Sequence, residues 1–228
     1  METVRLQRES LCDLLQSLNE QQWQAETLCG GWDAGDVVAH MLVREREPWA
    51  SAGLMIPPLA ALHASRMEVR KQAGRERLIR QLRSGPPKLA TMGIVGRVQV
   101  GEDYIHTEDI RRGAAAAIEG TADLTADDGT GDAGIDELLW QAIGRFALTT
   151  LGGVRGRGVL AMTDGGRTRA YRVGGPVSLP ARDGKADVTI NGTAGELLLY
   201  TTGRTAADVH VHGDQTLIDA LQASRRGI

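Results

Sequence analysis

The sequence predicts an α+β protein in which an N-terminal antiparallel four-helix bundle is joined to a small C-terminal α+β domain. Three observations predict it. Leucines recur at helical spacing from the first residues, further helix-period runs follow in series with short connections, and beyond Gly152 short β-like runs are separated by glycines. The expected division is a metal-binding helical bundle over 1–150, including a linker at 114–135, and an α+β domain over 151–228.

Leu6, Leu11, Leu14, Leu15 and Leu18 give an amphipathic helix over 4–19. Thr27 to Gly31 reads as a turn, and Asp33 as the N-cap of a second helix from Ala34 to about Glu47, with Val37, Val38, Met41 and Leu42 on its apolar face. Pro48 gives that helix a place to stop. A third helix is expected between the prolines at 57–58 and the Gly85-Pro86-Pro87 stop, and a fourth over Val95 to Gly113. The Ala/Gly/Thr/Asp-rich stretch that follows lacks apolar periodicity and reads as a surface excursion or linker. A helix near Ile135 to Leu148 is next. GVLAMTD and RTRAYRV flank Gly165-Gly166 as a β-hairpin would. KADVTI and ADVHVHG read as two more strands with the TAGELLLYTTG helix between them, and a short helix closes the chain.

Composition excludes several classes. Of the 228 residues 42% are hydrophobic, enough for a packed core and far from the disordered range. A net charge of -3 offers no general attraction to nucleic acid or to anionic membrane. The arginines at 66, 70, 75, 77, 80 and 83 fit a solvated helix face. No apolar run approaches the roughly 18 residues of a membrane helix, and METVRLQRESL lacks the apolar segment of a secretory signal. With only Cys12 and Cys29 a disulfide scaffold is excluded, so a reducing cytoplasm is the expected location.

The chemistry-bearing residues are His40, ending GGWDAGDVVAH, and Glu102 and His106 in EDYIHTEDIRR. Glu-x3-His stacks two ligand types on one helix face, and His40 on a facing helix completes three, leaving open positions for water or a thiolate. Asp36 either orients His40 or faces solvent. On spacing alone, a solvated face and a core histidine are the favoured reading. His63 stands alone on its helix and reads as surface or core. His210 and His212 alternate on a strand and read as a solvent-facing pair, and Cys29 reads as a small buried thiol or a reactive one.

The segment GGWDAGDVVAHM, with LCDLL before it and VREREP after it, resembles the first metal-binding segment of the DinB/YfiT-like superfamily. More narrowly, it is similar to the mycothiol-dependent maleylpyruvate isomerase family. EDYIHTEDIRR resembles that family's second segment, and RSGPP, GELLLYTTGR and SRRGI are similar to an actinobacterial metal-binding branch. The resemblance implies His40, Glu102 and His106 as ligands of a divalent ion, zinc being the first expectation, and a bundle joined to a small α+β domain. It also implies mycothiol as a thiol cofactor used to isomerise, or transfer to, a small electrophile. Arg204 in Gly203-Arg204 matches an arginine that anchors the substrate carboxylate, which a planar guanidinium suits; its other reading is a surface charge after a helix. Relatives in the narrow branch often carry a second histidine where this chain has Thr107, a position that points elsewhere on the helix.

Two functions are therefore expected. One is a metal-dependent, mycothiol-using isomerase or transferase. The other is a non-enzymatic metal-binding or regulatory protein, a candidate homodimer, that kept the bundle and lost turnover. Neither involves nucleic acid or a membrane.

Overall fold

Helix α1 (Glu2–Ser17) buries Leu11, Cys12 and Leu15 completely, as its leucine spacing requires. The structure is a computed structural model that describes residues 2–51, 60–87, 94–116, 133–181 and 185–227. The chain divides into two compact units, Met1–Gly129 and Thr130–Ile228. Residues 117–132, most of the expected linker, lie outside the described residues.

In the first unit α1 is followed by a short helix α2 (Glu20–Gln24), opened by a capping box between Asn19 and Gln22, which sequence periodicity does not announce. Helix α3 (Ala34–Arg46) starts as expected at Asp33, whose carboxylate accepts from the Asp36 amide while the Asp36 side chain accepts from that of Asp33. Pro48 does end α3, and also begins a short helix α4 (Pro48–Ser51).

The single third helix expected from sequence is two helices, α5 (Ala60–Lys71) and α6 (Arg75–Arg83). Gly74 separates them at φ +83°, a backbone conformation that a helix cannot contain and that glycine adopts freely. Helix α7 (Ile94–Ala116) is the long helix that carries Glu102 and His106. Helix α3 packs against α5, α6 and α7, and its apolar face shares one core with Leu11, Leu15, Leu78, Leu82 and Ile110. Each such leucine or isoleucine contributes about 1.5–3 kcal/mol on burial, which fixes the backbones bearing the histidines.

The second unit opens with α8 (Ala133–Thr150), which packs on α9 (Ala194–Thr201). Strands β1 (Gly158–Asp164) and β2 (Arg167–Val173) form the expected hairpin, with Asp164 opposite Arg167 and Gly165 at φ +57° in the turn. A two-residue strand β3 (Leu179–Pro180) extends the β2 edge. Strands β4 (Val188–Asn191) and β5 (His210–Gly213) complete the order β3-β2-β1-β4-β5, in which only the β1–β4 pair is parallel. Helix α10 (Gln215–Gln222) follows β5, capped by Asp214. The class is therefore α+β.

Candidate metal centre

Helices α3 and α7 run antiparallel, and this sets the order of their polar side chains. His40 lies against His106, with ring centroids 5.2 Å apart and edge to face. One turn further along α3, Arg44 pairs with Glu102, one turn earlier on α7. The next residue, Glu45, meets Gln99, a turn earlier still on α7, whose amide donates to it at 2.6 Å. The two histidines are almost wholly buried, each 1% exposed.

Each histidine has a polar partner at Nδ1. His106 Nδ1 lies 3.1 Å from Oδ2 of Asp109, one turn on, while its Nε2 is buried with no hydrogen-bond partner. A buried orphan nitrogen on a ring whose other nitrogen is held by a carboxylate is the arrangement of a metal-ligating histidine. His40 Nδ1 lies 3.1 Å from Nε2 of His63 on α5, and Trp32 covers the His40 ring at 5.1 Å between centroids. His63 is 5% exposed; burial lowers its pKa, the Ala50 backbone opposes this as an acceptor, and Arg44 adds to it. Asp36 is used in the α3 cap and with Lys71 Nζ at 2.7 Å, so orienting His40 falls to His63.

The loop before α3 adds a third group. Cys29 Sγ donates to Asp109 Oδ2 at 3.0 Å and lies 4.0 Å from His106 Nδ1. Among the described residues, Cys29, His106 and Asp109 each place a ligand atom within 4.8 Å of the others; His40 and Glu102 fall outside that set. The loop is docked on α7 by Leu28 N–H donating to the Asp109 carbonyl and by Gly113, where a Cβ would meet the Glu26 carbonyl oxygen at 2.5 Å. The donor types, imidazole, carboxylate and thiol, fit a divalent first-row ion; Cys29 and Asp109 gather at Nδ1 of His106, and Nε2 is its unpartnered nitrogen.

Buried charge surrounds the site on the α1 side. Arg8 Nη2 donates to Asp103 Oδ2 at 2.9 Å and also to Glu45. Burial pushes the Asp103 carboxyl up to about 7 against the pull of Arg8, with Glu45 and Glu102 adding to the rise. Burial opposes the charge on Arg8, yet Asp103 and Glu45 hold its pKa above the usual range. A cavity of about 310 Å³ is lined by His63 together with Trp32, Asp36, Met67 and Glu68.

Thr107, in the middle of α7, donates its hydroxyl to the Asp103 carbonyl one turn earlier at 2.6 Å. Arg204, in the second unit, is 6% exposed and not a surface charge; its Nη1 donates to the Thr202 carbonyl at 2.9 Å. His210 and His212 are exposed on one face of β5. Sequence reasoning missed the parts played by His63 and Asp109. The signals were there: His63 and Met67 form the buried stripe of α5, and Asp109 follows His106 by one turn.

A family model described as the mycothiol maleylpyruvate isomerase N-terminal domain matches residues 4–130. No curated relative matches the sequence. A solved structure described as the crystal structure of the mycothiol-dependent maleylpyruvate isomerase aligns at 16% identity. The alignment covers 93% of this chain and 92% of that one, with a TM-score of 0.47. Among the described residues no helix is long and apolar enough to cross a membrane.

Proposed function

The chain belongs to the mycothiol maleylpyruvate isomerase N-terminal domain family, and from that membership we propose a divalent-metal-dependent isomerase or transferase that uses mycothiol on a small electrophile. The observation that carries the reading is the buried, unpartnered Nε2 of His106 on a ring that lies against a second buried histidine across two packed helices.

His40 and His106 would hold the ion, with Glu102 as third ligand once released from Arg44. Zinc suits this donor set. The ion would supply the Lewis acidity that keeps a thiol ionised at neutral pH. The protein's own contribution is to hold those donors. Asp109 keeps a proton on Nδ1 of His106, and Trp32 with the surrounding core excludes water from the His40 ring. The cavity beside His63 has the size of a small-ligand site and supports a small-molecule partner. Arg204 is the residue we assign to a substrate carboxylate, on the chemistry of its guanidinium. Two free cysteines suit a reducing cytoplasm.

Metal analysis of the purified protein tests the centre. His40→Ala and His106→Ala should each abolish stoichiometric metal, and full retention in both would sink the site. Titrating the cobalt-substituted protein with mycothiol then separates enzyme from binder. Thiolate charge-transfer bands support the thiol-using enzyme; an unchanged spectrum supports a metal-binding protein without turnover.

A further inference from the structure

In the second unit, the open end of the β1–β2 hairpin holds a cavity of about 340 Å³, within the size range of small-ligand sites. Arg157 and Arg172 line it together with Val159, Val177 and Leu179.

Strand alternation explains how the arginines come to be there. Strand β2 carries three. Arg167 and Arg169 share the face that α8 covers, where both stack on Trp140 and Arg167 also pairs with Asp136 and Glu137. Arg172 falls on the opposite face, in register with Val159 of β1 on one side and Leu179 of β3 on the other. Arg157 precedes β1 by one residue, and its stem lies across Gly174. A Cβ on Gly174 would meet Arg157 Cγ at 2.5 Å and the Gly156 carbonyl oxygen at 2.9 Å, and its φ of +97° suits glycine alone. Among the described residues neither Arg157 nor Arg172 has an ion pair, a side-chain hydrogen bond or a ring to stack on, so both forks keep all their donors.

The apolar wall is held in place. Ser178, between Val177 and Leu179, donates its amide to the Leu148 carbonyl at 3.1 Å and its hydroxyl to the Ala147 carbonyl at 2.6 Å, which fastens this segment to the end of α8. Val177 and Leu179 nevertheless stay exposed, two of the few large apolar side chains on the surface of the described residues.

We propose that this cavity binds a small amphipathic anion: an oxyanion headgroup, carboxylate or phosphate, on a short apolar chain. Planar guanidinium forks present paired donors to such a headgroup, and no carboxylate of the described residues has to be displaced first. The apolar chain would lie on Val159, Val177 and Leu179 and take their surface out of water. Headgroup and chain together use both halves of the cavity, which a bare ion or a neutral apolar molecule does not.

The experiment is a ¹⁵N–¹H titration of the full chain that follows the arginine Nε–Hε and backbone signals with four probes: hexanoate, hexyl phosphate, inorganic phosphate and hexanol. At least one of the two alkyl anions should give saturable shifts at Arg157, Arg172 and Val177, and the tighter of them names the headgroup. Hexanol and inorganic phosphate should each bind at least roughly tenfold more weakly, since each lacks half of the recognition. Arg157→Ala and Arg172→Ala, both at exposed positions, should each weaken the alkyl anion by roughly tenfold. Val177→Ser should weaken it too and leave inorganic phosphate unchanged. The wild-type probe series depends on no variant. Absence of a saturable shift with either alkyl anion overturns the assignment, as does hexanol binding as tightly as they do. Inorganic phosphate matching hexyl phosphate would make the arginines an ordinary charged surface and overturn it equally. Undiminished affinity for the alkyl anions in both arginine variants overturns it as well.

Discussion

Cys29 gives its thiol hydrogen to the same Asp109 oxygen that holds Nδ1 of His106, at 3.0 Å and 3.1 Å respectively. One carboxylate oxygen thus joins the loop ahead of α3 to the imidazole of α7. Asp109 is 0% exposed, so nothing from solvent can replace either partner.

Asp109→Asn keeps the shape and removes the charge. Metal affinity should fall roughly 10–100-fold, because the amide polarises His106 less and no longer dictates its tautomer. Competition with a chromophoric chelator measures it. Unchanged affinity would show that Asp109 serves the loop alone.

Arg44 competes for Glu102 in the metal-free protein. The pair is partly exposed, with side chains 28% and 15% accessible, so it is worth about 1 kcal/mol or less. If Glu102 is a ligand, Arg44→Met should tighten metal binding by up to about fivefold, by removing that competition. Equal or weaker binding in isothermal titration would argue that Glu102 stays with the ion-pair network.

Asp103 predicts a pH dependence of stability. Its carboxyl is raised by burial from 3.8 to about 7, so the folded protein binds the proton more tightly than the unfolded chain does. The sign follows: this group's contribution is present in full below its unfolded value and is lost as pH rises through about 7. Urea midpoints measured across that window should fall with rising pH through this residue, and Asp103→Asn should flatten the slope. The same slope in the variant would assign the dependence elsewhere.

Gly113→Ala places a methyl against the backbone of the loop at 2.5 Å from the Glu26 carbonyl oxygen and 2.7 Å from Thr27 Cα. Neither atom is a flexible side-chain end. The variant should lose about 1–3 kcal/mol of stability and weaken the Cys29–Asp109 contact. Thermal melting together with the rate of thiol modification at Cys29 checks both. Wild-type behaviour in both measurements would show that the loop yields without cost.

Much of this was legible before the structure. Asp33 and Pro48 bracket α3 because cap and breaker act locally, and the glycine pair at 165–166 sets its hairpin for the same reason. The break at Gly74 was hidden because Leu78, Ile79 and Leu82 continue the apolar period past it. His40 and His106 were visible through motif spacing, but their partners depend on how helices face each other. Arg44 opposite Glu102 follows from the antiparallel order of α3 and α7, and His63 from the docking of α5 on α3. No local pattern encodes either.

The seat of Gly113 on the Glu26–Thr27 backbone has one more consequence. It fixes the axial register of α7 against the loop ahead of α3, two turns along α7 from His106. The long excursion between α3 and α7 is therefore not the ruler that aligns them. Insertions or deletions in that stretch, outside its packed helices α5 and α6, should leave the histidines in step. A single residue added between Glu26 and Asp33 would put them out of phase, so the near connection, not the distant one, sets the geometry of the pair.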